Sequence, residues 1–249
     1  MVVSADSVWG TVGGGNLEAT VMERARAVIL DGSSVPELIT IQLSEKAVTQ
    51  HGVQCCGGEV TMLVEPVHVM PSVAIFGVGH VGLELARILV RHDLELHLVD
   101  SRPSMLVPER LAVLSGGNAV VRVHGTPAPE SVIGTLPPGT HALIMTHDHA
   151  EDFVLCDAAL RGTGLGSIGL IGSTSKWRRF QQRLSSEGHT EKEIERIATP
   201  IGISGISGKE PAAIAVSVAA GLLRSFERVA SSNPDYARPT SCSSGPTAK

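Results

Sequence analysis

The chain has 249 residues and a mass of 26.0 kDa, which permits one large domain or two small ones, and its 43% hydrophobic content excludes disorder throughout. A net charge of −5 with a pI near 6.0 supplies no positive field for nucleic acid or an anionic membrane, and 3% aromatic residues leave little for base stacking. The surplus is in glycine, 27 residues, and it needs a physical reason.

In chain order, residues 2–5 read as a short strand that begins at once, so the first domain is expected to be truncated at its start. Gly13, Gly14 and Gly15 then open a helix in which Leu17, Val21, Ala25, Val28 and Ile29 recur at helical spacing, with Gly32 as the stop. Residues 38–43 and 60–66 read as strands flanking a loop over 51–58. A small α+β domain is therefore expected over residues 1–68.

Beyond Pro71 the pattern becomes buried strands alternating with helices. Strands are predicted at 72–76, 94–99, 119–124, 142–146 and 167–171, and helices at 81–91, near Glu130, and over 151–161 and 175–187. Pro211 suits the first turn of a last helix running to about Val229. This alternation implies an α/β fold, a doubly wound parallel sheet of Rossmann type, over residues 72–230. Residues 231–249, rich in Ser and Pro without periodicity, read as a disordered tail. The most apolar run, 212–223, is too short to span a bilayer and reads as a buried helix, so no membrane role is expected.

Four cysteines, Cys55, Cys56, Cys156 and Cys242, do not make a disulfide framework, and a reducing, cytoplasmic setting is the expectation. Two of them lie in the most unusual loop of the chain, Gln54, Cys55, Cys56, Gly57, Gly58 and Glu59. Adjacent thiols make a poor structural zinc site, which favours CxxC spacing and a second ligand pair. A thiolate beside two glycines is suited to a soft metal or to sulfur exchange, and the alternative is a pair of structural cysteines at a turn.

Three further segments offer backbone amides to an anion. Gly77, Gly79 and Gly82 form a GxGxxG motif between a strand and a helix, with Asp100 closing the next strand. Here Gly77 allows a tight turn, Gly79 admits a pyrophosphate and Gly82 lets helix and strand pack. Asp100 suits a ribose hydroxyl and Arg102 a phosphate, so NAD(P) is possible there but not favoured. Gly13, Gly14 and Gly15, with Glu18 as cap or acceptor, form a second cradle. Ser173, followed by Thr174, Ser175 and Lys176, resembles a phosphate-accepting loop, with Arg178 and Arg179 completing a local basic cluster. His147, Asp148, His149 and Asp152 offer either a divalent-metal set, a ligand contact, or a capping box of Asp148 with Glu151.

Taken together, GTVGGGNLE, QCCGGEV, VAIFGVGHVGLELARIL, MTHDHAED, IGLIGSTSKWRRF and PIGISGISGKEPAAIAVSVAA resemble the XdhC/CoxI family of xanthine dehydrogenase accessory proteins, over about residues 1–225. The resemblance implies a non-enzymatic chaperone that binds molybdenum cofactor, supports its sulfuration by a cysteine desulfurase and delivers it to a molybdenum hydroxylase such as xanthine dehydrogenase. It places cofactor handling on Gly13, Gly14, Gly15 and Glu18, and on Cys55, Cys56, Gly57 and Gly58, with the two thiols as candidate ligands to molybdenum. A homodimer is compatible with such a role. The competing reading is an NAD(P)-dependent oxidoreductase built on Gly77, Gly79 and Gly82.

Overall fold

The computed structural model describes residues 1–231 except 32, 34, 43–57, 68, 69, 163 and 207, with backbone alone over 227–231. The expected cysteine loop over 51–57 and the expected tail from 232 onward lie outside the described residues. The chain divides into two compact units, Met1–Val69 with Phe226–Lys249, and Met70–Ser225.

In the first unit the expected single strand is a hairpin, β1 (Val2–Val3) against β2 (Val8–Trp9), closed by Ser4, whose hydroxyl donates to Asp6 and accepts from the Ser7 amide. Helix α1 (Gly15–Asp31) buries only Val21 and Val28, a narrower stripe than the spacing predicts, and Ile29 stays 44% exposed. Strands β3 (Glu37–Gln42) and β4 (Glu59–Val64) pair antiparallel, with Leu38 opposite Leu63 and Ile39 opposite Met62. The period-2 alternation gives the ribbon one inner and one outer face. Arg24 of α1 holds Glu37 of β3 through Nη2 at 2.6 Å.

The second unit is a six-stranded parallel sheet in the order β10-β9-β8-β5-β6-β7. Its strands are β5 (Ser72–Phe76), β6 (Glu95–Asp100), β7 (Val120–Gly125), β8 (His141–Ile144), β9 (Ser167–Leu170) and β10 (Ile197–Ala198). All of β5 is buried, because a central parallel strand is covered on both faces, and the run SVAIF is correspondingly apolar. Helices α2 (His80–Leu89), α3 (Pro108–Leu111), α4 (His149–Arg161), α5 (Thr174–Ser186), α6 (Glu191–Ile194) and α7 (Pro211–Ser231) connect or follow the strands. In α2 the residues turned inward are Gly82, Leu85, Ala86 and Leu89, and in α7 they include Ala215, Val218, Ala219 and Leu222. Both sets follow the i, i+3, i+4, i+7 stripe of a helix packed on a sheet. Phe76, Ile144, Leu155, Ile168, Leu170 and Leu184 fill the core between the sheet and its helices.

This is the doubly wound α/β architecture that the alternation predicts. The sequence reading misses α3, α6 and β10, which are only two to four residues long and carry no measurable periodicity. It also extends β8 two residues past its end at Ile144: the Met145 amide still donates to the Phe76 carbonyl of β5 at 2.8 Å, but the Thr146 amide turns away to Asp152 Oδ1 at 2.9 Å.

Candidate functional site

Strands β5 and β8 are neighbours, but the chain reaches β8 only after passing through β6 and β7, so the topological switch lies at their carboxyl ends. Gly77 follows β5 at φ 101° and lies so close to the turn after β8 that a Cβ there would sit 2.4 Å from the Met145 carbonyl oxygen. A Cβ on Gly82 would sit 2.1 Å from the Gly77 carbonyl oxygen, so α2 packs on the loop backbone to backbone. Gly79, the N-cap of α2, has no side-chain cap, and a Cβ there would meet nothing within 4 Å. The three glycines thus divide into two that allow packing and one that leaves open space at a helix N-terminus.

Asp100 closes β6 and is 2% exposed. Its Oδ2 accepts the Val78 amide at 2.7 Å and Arg102 Nη2 at 3.0 Å, and its Oδ1 accepts the Arg102 amide and Nε, both at 2.9 Å. Burial alone would raise its pKa, but the donors from Arg102 and Val78 outweigh burial and hold the carboxyl below its ordinary value. The carboxylate is therefore fully occupied inside the chain. Arg110, which no motif of the sequence singles out, donates through Nη2 to the Val78 carbonyl at 3.2 Å, and its buried Nε has no hydrogen bond among the described residues.

Ser173 is brought to the same edge of the sheet but after β9, on the far side of β8 from Gly77. It caps α5, accepting the Lys176 amide at 3.3 Å. The expected basic cluster of Lys176, Arg178 and Arg179 does not form. Lys176 is 6% exposed and turns inward to Asp152 Oδ2 at 2.5 Å and the Ile171 carbonyl at 2.8 Å, while Arg178 and Arg179 face water. The same pair takes Asp152 out of the metal alternative for His147, Asp148, His149 and Asp152. Asp152 is 1% exposed and its two oxygens accept from the Thr146 amide and Lys176, while His147 and His149 are exposed, and no group of three or more potential ligands gathers among the described residues. Asp148 does cap α4, accepting the Ala150 amide at 2.7 Å, but the capping box is incomplete, since Glu151 accepts from Ser101 Oγ at 2.6 Å instead.

In the first unit, Gly13, Gly14 and Gly15 all have positive φ, and a Cβ on Gly14 or Gly15 would meet nothing within 4 Å. Their turn wraps the side chain of Glu18. Its Oε2 accepts the Thr11 hydroxyl, the Gly14 amide at 3.1 Å and the Val12 amide at 3.4 Å, and these donors, Thr11 foremost, lower the Glu18 pKa. Oε1 has no hydrogen bond among the described residues. Gly58, just before β4, is exposed at φ 122°. Gln54, Cys55, Cys56 and Gly57 lie outside the described residues. Cys156 is buried, and burial, with the Asp152 carboxylate adding to it, pushes its thiol up to about 12, which leaves it inert as a nucleophile.

Two polar pairs, one buried and one partly buried, escape the sequence reading, because each joins residues far apart in the chain. One is Asp152 with Lys176. The other is His97 of β6 with His124 of β7, Nδ1 to Nε2 at 3.0 Å with the rings stacked, and burial lowers the His97 pKa. The sequence signal for the second is one histidine in each of two strands, His97 in ELHLVD and His124 in VVRVHG.

Fold and glycine loop together define a Rossmann-type α/β protein. The model of the XdhC Rossmann domain matches residues 73–222, and that of the XdhC and CoxI family matches residues 1–42. The chain belongs to the XdhC and CoxI family. It is similar to the uncharacterized protein YqeB of Escherichia coli (strain K12), at 25% identity over 225 residues, which cover 90% of this chain and 40% of YqeB. The chain thus spans less than half the length of that relative. Among solved structures it resembles a crystal structure titled as a xanthine dehydrogenase from Bacillus halodurans. The TM-score is 0.52 at 18% identity, over 88% of this chain and 83% of that one, a likeness of fold.

Proposed function

We propose that this chain is a molybdenum-cofactor-binding accessory factor of a xanthine dehydrogenase-type molybdenum hydroxylase. It would support sulfuration and insertion of the cofactor, with a cysteine desulfurase as sulfur source and no turnover of its own. The observation that carries the reading is membership of the XdhC and CoxI family, with matches in both units in the expected order.

The first unit fits such a ligand. Gly14 and Gly15 leave open space where a phosphate can approach the backbone, and Glu18 offers Oε1 as an acceptor for the N–H donors of a heterocycle. Cys55 and Cys56 are the proposed thiol contacts. When bound, the cofactor supplies the molybdenum that takes up the terminal sulfur. A cytoplasmic location and a homodimer belong to the same proposal; no helix among the described residues is long and apolar enough to cross a membrane.

A second reading, an NAD(P)-dependent oxidoreductase, is favoured by the strand order and the open position at Gly79. It is weakened by Asp100, whose acceptor positions already hold Arg102 and Val78 instead of waiting for a ribose.

The test is purification from cells that make molybdenum cofactor, followed by oxidation and assay of pterin fluorescence and molybdenum. Wild type is expected to carry both, and Cys55→Ala or Cys56→Ala to lose about tenfold or more of the molybdenum. A chain that neither copurifies with nor can be loaded with pterin and molybdenum, yet binds NAD(P)H stoichiometrically, overturns the proposal in favour of the second reading.

A further inference from the structure

Between β10 and α7 the chain crosses the carboxyl end of β9 and leaves a cleft of about 740 Å³, walled by Ile171, Ile201, Ile203, Ile206 and Ile214, with Lys209 in its lining. That size falls among small-molecule sites, which are mostly apolar with a few placed polar groups. The walls are fixed by packing. Ser217 of α7 accepts the Ile203 amide at 2.9 Å and donates to its carbonyl at 3.3 Å. Gly202, at φ 101°, lies so close that a Cβ would sit 2.4 Å from Ser217 Oγ, and one on Gly169 of β9 would sit 2.8 Å from the Ile201 side chain.

Among the described residues, none of Gly77, Gly79, Gly82 and Asp100 lines this cleft, and neither does a carboxylate or aromatic ring, although Glu210 stands beside Gly208, where a Cβ would sit 3.0 Å from its Oε2. Lys209 is exposed and has no hydrogen bond or ion pair among the described residues. Five isoleucines with one unpaired ammonium select by charge and by polarity. The lining offers a cation no carboxylate, and a hydroxyl-rich ligand finds only Ser204 and Ser217 as side-chain hydroxyls beside the isoleucine wall. An apolar body covers that wall, including Ile206, 40% exposed, while an anionic head meets the ammonium. The carboxyl edge of a parallel sheet is also where doubly wound folds place ligands.

We propose that this cleft is a second ligand site, for a small, largely apolar monoanion whose carboxylate or phosphate head rests on Lys209. The site goes beyond the cofactor-handling role, which is assigned to residues of the first unit.

Isoleucine-methyl NMR of the full chain tests it, with naphthoate and naphthyl phosphate as anions, naphthylmethanol as the neutral analogue and naphthylmethylammonium as the cation. The anions are expected to shift the methyls of Ile171, Ile201, Ile203, Ile206 and Ile214, and to bind more tightly than the neutral analogue and the cation. The stronger of the two anions identifies the preferred head group. Lys209→Gln is expected to weaken the anions about threefold to fivefold and leave naphthylmethanol unchanged. Ile206→Glu, at a partly exposed position where folding tolerates the change, is expected to abolish anion binding. Absence of shifts at these five methyls up to millimolar ligand overturns the site. Equal affinity for all three charge types, or an unchanged anion affinity in Lys209→Gln or Ile206→Glu, overturns the proposed chemistry. Because no residue assigned to cofactor handling is among those that line the cleft, naphthoate binding and pterin loading fail independently.

Discussion

Two glycine turns open helices in this chain, and each is tied to a carboxylate, yet they are built for different reasons. At Gly77, Gly79 and Gly82 the limiting quantity is space: two of the three glycines touch backbone, and Asp100 beneath them is buried and clamped by Arg102. At Gly13, Gly14 and Gly15 the limiting quantity is backbone conformation. All three have positive φ, Gly14 and Gly15 face open space, and Glu18 holds the amides from a half-buried position, with no salt bridge to a side chain among the described residues. The first turn is a packed joint of the sheet. The second is a ring of donors closed over an internal anion, the Glu18 carboxylate.

The contrast can be broken by substitution. Gly82→Ala forces a Cβ against the Gly77 carbonyl, where neither helix nor loop has room to give, and a loss of about 3 kcal/mol is expected. Hydrogen exchange is expected to show lost protection in β5 and α2 while α1 is unaffected; equal loss in both units would mean that the two turns are coupled.

Asp100→Asn comes next, at about 2 kcal/mol near neutral pH, because it puts an amide group where four donors expect a carboxylate. Its folded pKa is depressed, so the wild-type advantage is present above the unfolded value and is lost as pH falls through the folded one. Denaturation midpoints of the two proteins are expected to converge below about pH 4. A constant gap on acidification would show that the carboxylate charge is not what holds the loop.

Gly15→Ala is the smallest of the three. It meets no neighbour and pays only for its left-handed conformation, about 1 kcal/mol, read as faster exchange in the first turns of α1. A loss as large as that of Gly82→Ala would mean that the first turn is also closely packed.

The fold was legible because it rests on local signals. Continuous apolar strands such as SVAIF, the helical stripe of Leu85, Ala86 and Leu89, and a GxGxxG between them specify strand, helix and joint within twenty residues. The doubly wound class follows from their alternation, and the family from motifs spread along the chain. Elements of two to four residues, such as β10, were not legible, because their existence depends on a neighbouring strand and not on any pattern of their own.

The site was legible only in its backbone part. Glycine spacing marks where amides converge, since the absence of a Cβ is a property of the residue itself. Side-chain roles were decided by tertiary neighbours: Lys176, in a basic run, is drawn inward by Asp152 from another helix, and Asp100, a textually ordinary ribose acceptor, is already satisfied by Arg102 and Val78. The sequence by itself determined the α/β class, the family and the positions of the glycine turns, all of which follow from short-range periodicity and residue type. Only the tertiary structure decided which charges remain available to a ligand, because a buried ion pair forms wherever two distant groups meet out of water, and no spacing along the chain records that meeting.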